Sequence, residues 1–270
     1  MNSETDKSLA VIRSYWEQAA AHAVDEQGLR PTARDPHLQA AVEKIMERWL
    51  DSTMTLLDIG CGDGHSTIFF AQRVRSAIGI DYVESFIESA RANAARQNAG
   101  NATFHAADVL DLAPVRKRFG PCDAATSIRC LINLASWDNQ AKALKQIAHM
   151  VKPGGLLLLS EGWIEGMAGL NLRRQRAGLP PLSVVRYNTL LSRGQFEAEA
   201  ARYFDILTYH SLGFYLYMSR VFQPRFVAPA QPRHDHPINA AAAKLQLDCA
   251  MGAEFQDCDY AGVYVLRRKV

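Results

Sequence analysis

The stretch Asp58-Ile-Gly-Cys-Gly-Asp-Gly64 decides the fold that this sequence predicts. It directly follows the apolar run Met54-Thr-Leu-Leu57, and the segment His65-Ser-Thr-Ile-Phe-Phe-Ala71 comes after it. The apolar run is typical of a buried strand, and the glycines allow a tight turn that a ligand can approach closely. A strand, such a turn and the start of a helix together form a nucleotide-binding pocket. Asp58 favours a ligand with a cationic group, because a carboxylate there would repel a pyrophosphate.

Two further carboxylates follow the next two predicted strands. The segment Ser76-Ala-Ile-Gly-Ile80 ends in Asp81, and Ala102-Thr-Phe-His-Ala-Ala107 ends in Asp108-Val109. An acid at the second strand end can accept hydrogen bonds from both hydroxyls of a ribose. A carboxylate beside an apolar residue suits an adenine, since the carboxylate accepts a hydrogen bond from the amino group and the apolar side chain packs on the ring. The three acids therefore predict a single adenosine-containing ligand.

These motifs resemble those of the class I S-adenosylmethionine-dependent methyltransferases. The matching segments are Leu56-Leu-Asp-Ile-Gly-Cys-Gly-Asp-Gly64, Ile78-Gly-Ile-Asp81, Ala107-Asp108 and Val151-Lys-Pro-Gly-Gly-Leu156. The match covers residues from about 54 to 162 closely and the remainder loosely. The alternative is a domain that binds NAD or FAD, but the spacing Gly-x-Gly-x-Gly differs from the dinucleotide pattern Gly-x-Gly-x-x-Gly, and Asp58 also opposes it.

The resemblance implies a Rossmann-like α/β fold, in which a seven-stranded, mostly parallel sheet carries helices on both faces. Residues 1–50 are predicted to form an N-terminal helical lid, with helices over 8–25 and about 38–50 and a loop over 28–37. Residues 51–270 are predicted to form the core, with cap insertions at about 162–190 and 211–258. The predicted strands lie near 54–58, 76–80, 102–106, 122–127, 155–160, 204–209 and 260–266. The predicted helices beyond the lid include 137–150, 167–177, 192–202 and 214–222.

Composition limits the possible partners. The chain has 270 residues, 48% of them hydrophobic, which is enough for a substantial core. A net charge of +2 gives no general attraction to nucleic acid or to an anionic membrane. No apolar run reaches membrane-spanning length, the first residues lack a signal-peptide pattern, and the five cysteines lie far apart. We therefore expect a cytoplasmic monomer or homodimer with a small-molecule acceptor, without a metal, a nucleic acid or a membrane partner.

Cofactor-binding residues are assigned from the resemblance and from the rule that ligands bind at the carboxyl ends of parallel strands. Asp58 and the Gly60 backbone are expected to face the amino-acid part of S-adenosyl-L-methionine, and Tyr15 is expected to close over it from the lid. The complete predicted set is Tyr15, Asp58, Gly60, Cys61, Gly62, Asp81, Tyr82, Asp108, Val109 and Ile128.

The acceptor is expected at the ends of the fourth and fifth strands. Arg129 could hold an anionic or polar acceptor by a bidentate contact, or it could pair with Glu161. Glu161 in turn is either a base or only that partner, and His210 is a second candidate base. The predicted catalytic residues are therefore Arg129, Glu161 and His210. The predicted acceptor-binding residues are Arg129, Asn133, Asn171, Arg173, Asn188, Tyr215 and Arg220.

The leading hypothesis for function is methyl transfer to an oxygen or nitrogen of a small polar metabolite, either neutral or anionic. Sugars, carboxylic acids and secondary metabolites are the candidate acceptors. A methyltransferase acting on RNA or protein would usually carry a basic surface or a recognition domain, and neither is evident. The segment Ser127-Ile-Arg-Cys130 stands where an Asn-Pro-Pro-Tyr type motif would indicate an adenine, cytosine or glutamine acceptor. A non-catalytic protein that binds S-adenosylmethionine is the remaining alternative.

Overall fold

One sheet of seven strands organises the computed structural model, which describes residues 8–21, 30, 32–229, 233–249 and 253–270. The strand order is β3-β2-β1-β4-β5-β7-β6, and every pairing is parallel except those of β7. The strands are β1 (Thr55–Ile59), β2 (Ser76–Asp81), β3 (Ala102–Ala106), β4 (Cys122–Ile128), β5 (Val151–Ser160), β6 (Phe204–His210) and β7 (Val263–Arg268). The predicted fold class is confirmed.

Helices cover both faces of this sheet. They are α1 (Leu9–Ala20), α2 (Pro36–Glu47), α3 (His65–Ala71), α4 (Glu84–Arg96), α5 (Ala113–Phe119), α6 (Trp137–Met150), α7 (Ile164–Arg176), α8 (Arg193–Ala200), α9 (Gly213–Tyr217) and α10 (Pro237–Asp248). Short 3₁₀ turns span Leu131–Asn133 and Ala253–Cys258, and a π-helix spans Met218–Val227. None of the helices among these described residues is both long enough and apolar enough to cross a bilayer.

The predicted boundaries are close to the observed ones, with two instructive differences. Helix α2 begins at Pro36, two residues earlier than predicted, because the Asp35 carboxylate accepts the Leu38 amide at 3.0 Å and caps the helix. Strand β5 begins at Val151 because this residue pairs with Cys122 before residues 152–155 bulge out of the ladder. The predicted lid helix over 8–25 is observed as α1 as far as Ala20, and residues 22–25 lie outside the described part of the chain.

Alternate side chains of each strand point to opposite faces, and so build two apolar layers. Leu57 packs with the face covered by α6 and α8, whereas Leu56 packs with the face covered by α2 and α3. The second layer also contains side chains from the segment between β6 and β7, including Leu216 and Ala242. This segment therefore packs on α2.

Candidate active site

The glycine turn after β1 is closely packed. Gly60 and Gly62 have positive φ angles of 72° and 52°, which favour glycine. A β-carbon on Gly60 would lie 2.8 Å from the Cys130 sulfur, and one on Gly62 would lie 2.8 Å from the Thr32 methyl group. Side chains are therefore excluded here, and the turn presents its backbone to the space above the sheet.

Asp58 supports this turn from below. Its Oδ1 accepts a hydrogen bond from the Thr126 hydroxyl at 2.8 Å, and its Oδ2 accepts one from the Thr67 hydroxyl at 2.5 Å. Burial raises the pKa of Asp58 to about 6, although both hydroxyls oppose the rise. The carboxylate lines a pocket of about 40 Å³ beside the main cavity and is not part of the main cavity's wall. Asp58 thus joins α3 to β4, and a direct contact with the cofactor's amino group stays a prediction.

Asp81, at the end of β2, holds the other side of the turn. Its Oδ2 accepts the Gly62 amide at 3.0 Å, and its Oδ1 accepts the Val83 amide at 3.0 Å. Burial raises its pKa, whereas the two amides lower it. The carboxylate lines the main cavity, so each oxygen has a lone pair available for a ligand hydroxyl.

A cavity of about 260 Å³ lies above the strand ends, close to the lower limit of about 300 Å³ that is usual for ligand pockets. Ten predicted site residues line it, namely Gly60, Gly62, Asp81, Tyr82, Val109, Ile128, Arg129, Asn133, Asn188 and Arg220. The predicted site residues do not include Asp35, Phe86 or His234, which also line the cavity. The cavity extends from the glycine turn to the cap segment.

Arg129 enters this cavity from the turn after β4. Its φ angle is +56°, in the left-handed region that a residue with a side chain rarely adopts. The Arg129 amide donates to the Ser160 carbonyl at 2.8 Å, and the Asn133 amide group donates to the Arg129 carbonyl at 2.7 Å. The guanidinium makes no hydrogen bond or ion pair with any residue that the structure describes. The alternative expectation, a direct ion pair with Glu161, is therefore not observed, although the Arg129 charge acts on Glu161 and lowers its pKa.

Glu161 is not a base in the cavity, and this prediction is corrected. The residue is fully buried, and its Oε1 accepts the amides of Cys130 and Leu131 and the hydroxyl of Ser127 at 2.9–3.1 Å. Its Oε2 accepts the Ile132 amide at 3.1 Å. Because both oxygens are engaged and neither lines the cavity, Glu161 fixes the turn that carries the neighbouring arginine.

Replacing Glu161 with Gln should destabilise the fold by about 1–3 kcal/mol, because the amide NH₂ would face a buried backbone donor. Burial raises the pKa of Glu161 to about 7, above its unfolded value of 4.5, although the hydrogen bonds and the charge of Arg129 oppose this. A raised folded pKa means that the wild type loses stability as pH rises from about 4.5 to about 7, and the variant lacks this loss. Urea unfolding should therefore show a larger difference in unfolding free energy between the wild type and Glu161→Gln at pH 5 than at pH 7.

The exposed residue Glu88 on α4 provides the matched control for this prediction. Glu88→Gln should leave the unfolding free energy within about 0.5 kcal/mol of the wild type at both pH values. A Glu161→Gln protein as stable as the wild type at pH 5 would show that the turn does not depend on this carboxylate.

Helix α1 meets the cavity through Trp16 and not through Tyr15. The Trp16 ring lines the cavity, and its indole donates to the Asn133 side-chain oxygen at 3.2 Å. Tyr15 stacks on Tyr187 with ring centroids 4.0 Å apart, and the two hydroxyls lie 3.1 Å apart. Tyr15 does not line the cavity, so a contact of Tyr15 with the cofactor stays a prediction.

A buried ion pair forms the cap side of the cavity. Arg220, in the π-helix, places Nη2 2.6 Å from Oδ2 of Asp35, and the Tyr215 hydroxyl donates to Oδ1 of Asp35 at 2.6 Å. Burial opposes ionisation of Asp35, but the Arg220 charge and the Tyr215 hydroxyl hold its pKa below the usual range. Arg220 and Asp35 line the cavity and Tyr215 does not, so Tyr215 acts through Asp35 and not on an acceptor directly.

Three predicted residues lie away from the cavity, and their assignment is corrected. The Asn171 side chain bonds both backbone groups of Leu182, at 2.8 and 3.1 Å. Arg173 pairs with Asp257 at 2.8 Å and does not line the cavity. His210 ends β6 but does not line the cavity wall, so no geometry supports it as a base.

Two predicted cofactor residues lie beside the main cavity. Cys61 lines the small pocket next to Asp58, and its sulfur lies 3.7 Å from the Gly62 carbonyl oxygen. Asp108 is exposed, and its Oδ1 accepts the Leu110 amide at 2.9 Å. The next residue, Val109, lines the main cavity, and a contact of Asp108 with the adenine amino group stays a prediction.

The cavity fits the cofactor that the resemblance implies. The Tyr82 hydroxyl and the Thr32 hydroxyl are buried in its wall without a hydrogen-bond partner among the described residues. Buried polar atoms are rarely left unpaired, so a polar ligand would satisfy them. The Asp81 carboxylate, which accepts hydrogen bonds only, lies in the same wall and suits the ribose hydroxyls.

A family model described as a methyltransferase domain matches residues 50–179. The 23S rRNA (uracil-C5)-methyltransferase RlmD of Mannheimia succiniciproducens is 40% identical over 63 residues, which are 23% of this chain and 14% of that protein. The protein-L-isoaspartate O-methyltransferase of Triticum aestivum is 27% identical over 144 residues, which are 50% of this chain and 57% of that protein. This chain therefore spans well under two thirds of both relatives.

The same architecture occurs in a solved structure. A S-adenosylmethionine-dependent methyltransferase from Anabaena variabilis superposes with a TM-score of 0.64 at 16% identity, covering 97% of this chain and 96% of that one. At this identity the likeness shows the fold alone. The domain match identifies residues 50–179 as a methyltransferase domain, and together with the fold and the glycine turn with its acids it supports a class I S-adenosylmethionine-dependent methyltransferase.

Proposed function

We propose that this protein transfers a methyl group from S-adenosylmethionine to an oxygen or nitrogen of a small polar metabolite. The observation that carries this proposal is the continuity of the cavity from the glycine turn to the cap wall at Arg220 and His234. Trp16 from α1 and Tyr187 from the segment after α7 lie over the same cavity. A site enclosed from several sides suits a small acceptor better than a polymer.

The residues of this chain would hold the reactants and exclude water. The cofactor, when bound, would supply an electrophilic methyl group on a sulfonium. Asp81 and the backbone at Gly60 and Gly62 would hold the adenosyl and amino-acid parts, while Arg129 and Asn188 would face the acceptor. Because positive charge disappears from sulfur during transfer, a dry site favours the reaction, and much of the acceleration can come from alignment alone.

The same proposal assigns a role to each segment of the chain. Residues 1–50 act as a lid, residues 51–270 form the catalytic core, and the segments at about 162–190 and 211–258 act as caps. The interactions of Trp16 with Asn133 and of Asp35 with Arg220 support this division, because each joins the lid to another segment at the cavity wall. The predicted cytoplasmic location and the monomeric or homodimeric state rest on the sequence.

A macromolecular acceptor is the second candidate, since the relatives are named as enzymes acting on ribosomal RNA and on protein. A protein that binds S-adenosylmethionine without turnover is the third. The predicted absence of a nucleic-acid partner is therefore part of the proposal.

Isotope transfer separates the three candidates. The protein would be incubated with S-adenosylmethionine labelled in its methyl group and with three fractions of a cell extract: small molecules, total RNA and total protein. We expect label in the small-molecule fraction only. Label confined to RNA or protein would favour the second candidate, and no label in any fraction despite cofactor binding would favour the third. Asp81→Ala protein serves as the inactive control.

A further inference from the structure

We infer that the methyl acceptor carries a carboxylate or phosphate group and that the Arg129 guanidinium binds it. This inference rests on the proposed function, because it concerns the acceptor half of the same cavity. It assigns a chemical class to the acceptor, which neither the family nor the fold determines.

One guanidinium in the cavity wall makes no direct ion pair with the described residues. The wall contains the guanidinium groups of Arg34, Arg129 and Arg220 and the carboxylates of Asp35 and Asp81. Arg220 is matched by Asp35 at 2.6 Å, and Asp81 is stabilised by two backbone amides. Arg129 is half-buried and has no ion pair or hydrogen bond from its guanidinium to the described residues.

The structure keeps Arg129 in this position at a conformational cost. A left-handed backbone costs a residue with a side chain about 1–2 kcal/mol. Four hydrogen bonds from the following turn and from Ser127 to the buried Glu161 fix the backbone around it. Backbone strain that its surroundings maintain in this way is concentrated at ligand-binding and catalytic positions.

The cofactor increases the need for an anion. S-adenosylmethionine carries a sulfonium, an ammonium and a carboxylate, so it adds one net positive charge to a cavity in which the Arg129 guanidinium has no direct ion pair with a described carboxylate. His234 adds no negative charge, and burial together with the Arg220 charge lowers its pKa to about 4, so it is neutral at pH 7. An anionic acceptor would balance the site, and a planar guanidinium binds carboxylates and phosphates in bidentate geometry.

The experiment measures anion binding and needs no knowledge of the natural acceptor. Sodium benzoate and inorganic phosphate are titrated separately, by calorimetry, into the full-length protein saturated with S-adenosylhomocysteine. The variants are Arg129→Gln, Arg129→Lys and the control Arg176→Gln, which changes an exposed arginine of α7. The two anions distinguish a carboxylate site from a phosphate site.

We expect the wild type to bind at least one of the two anions and Arg129→Gln to bind it at least tenfold more weakly. The anion affinity of Arg129→Lys should lie between those of the wild type and Arg129→Gln, and that of Arg176→Gln should equal the wild-type value. The affinity for S-adenosylhomocysteine should be unchanged in all variants. The inference is overturned if the wild type binds neither anion, or if Arg129→Gln binds as the wild type does. It is also overturned if Arg129→Gln loses S-adenosylhomocysteine, because the guanidinium would then serve the cofactor.

Failure of the proposed function has a different signature. Anion binding that depends on Arg129, combined with no label transfer to small molecules, would contradict methyl transfer and retain the anion site. Label transfer to small molecules without anion binding would support methyl transfer and contradict the anion site.

Discussion

Replacing Asp81 with Ala should weaken the binding of S-adenosylhomocysteine by at least about a hundredfold, which corresponds to about 2.7 kcal/mol. The expected loss has two parts. The two ribose hydroxyls would lose a charged acceptor, and hydrogen bonds to charged groups contribute about 1.5–3 kcal/mol each. The Gly62 amide, which lies 3.0 Å from Asp81, would also lose its partner, so the glycine turn would be held less firmly. Isothermal titration calorimetry measures the change directly.

The control for Asp81→Ala is Asp248→Ala, which removes an exposed carboxylate at the end of α10. This variant should bind S-adenosylhomocysteine as the wild type does. Asp81→Asn should give an intermediate affinity, because the amide keeps one acceptor oxygen. An Asp81→Ala protein that binds within threefold of the wild type, or a wild type that binds NADH tightly and S-adenosylhomocysteine not at all, would contradict the assignment of the cofactor site.

The residues that sequence reasoning placed well have local causes. The turn at Gly60 and Gly62 follows a buried strand, and its tight conformation was predicted from the strand and the glycines, whereas the hydrogen bond from Gly62 to Asp81 was not predicted. Arg129 was also predictable, because it follows the fourth strand and the carboxyl ends of parallel strands meet at one edge. Its left-handed backbone was not, since no glycine or asparagine marks the position.

The misassigned residues have distant partners that a single sequence does not reveal. Spacing places Arg173 on one face of a helix, but its partner Asp257 lies 84 positions away and decides which way that face points. Asp35 was predicted only as part of the loop over 28–37, because its partner Arg220 is 185 positions away. Helix spacing determines which residues share a face, whereas the packing of the cap determines which face meets the cavity.

Replacing Arg220 with Met should cost about 3–5 kcal/mol of stability, because it leaves the Asp35 carboxylate buried without its cation. The double variant Asp35→Asn/Arg220→Met removes the stranded charge, so it should be more stable than Arg220→Met alone. Urea unfolding of the wild type, both single variants and the double variant gives the coupling energy. Arg225→Met, which changes an exposed arginine of the same π-helix, is the control and should cost less than about 0.5 kcal/mol.

The pH dependence of the Arg220→Met effect has a definite sign. The folded pKa of Asp35 lies below its unfolded value of 3.8, mainly because Arg220 and Tyr215 outweigh the effect of burial. A lowered folded pKa gives the wild type stability that is present above pH 3.8 and is lost as pH falls through the folded pKa. The penalty for Arg220→Met should therefore be full at pH 7 and smaller near pH 3, where the stranded Asp35 can be protonated. A penalty below about 1 kcal/mol at pH 7 would mean that the carboxylate gains water or another partner, and that this ion pair does not hold the cap wall on α2.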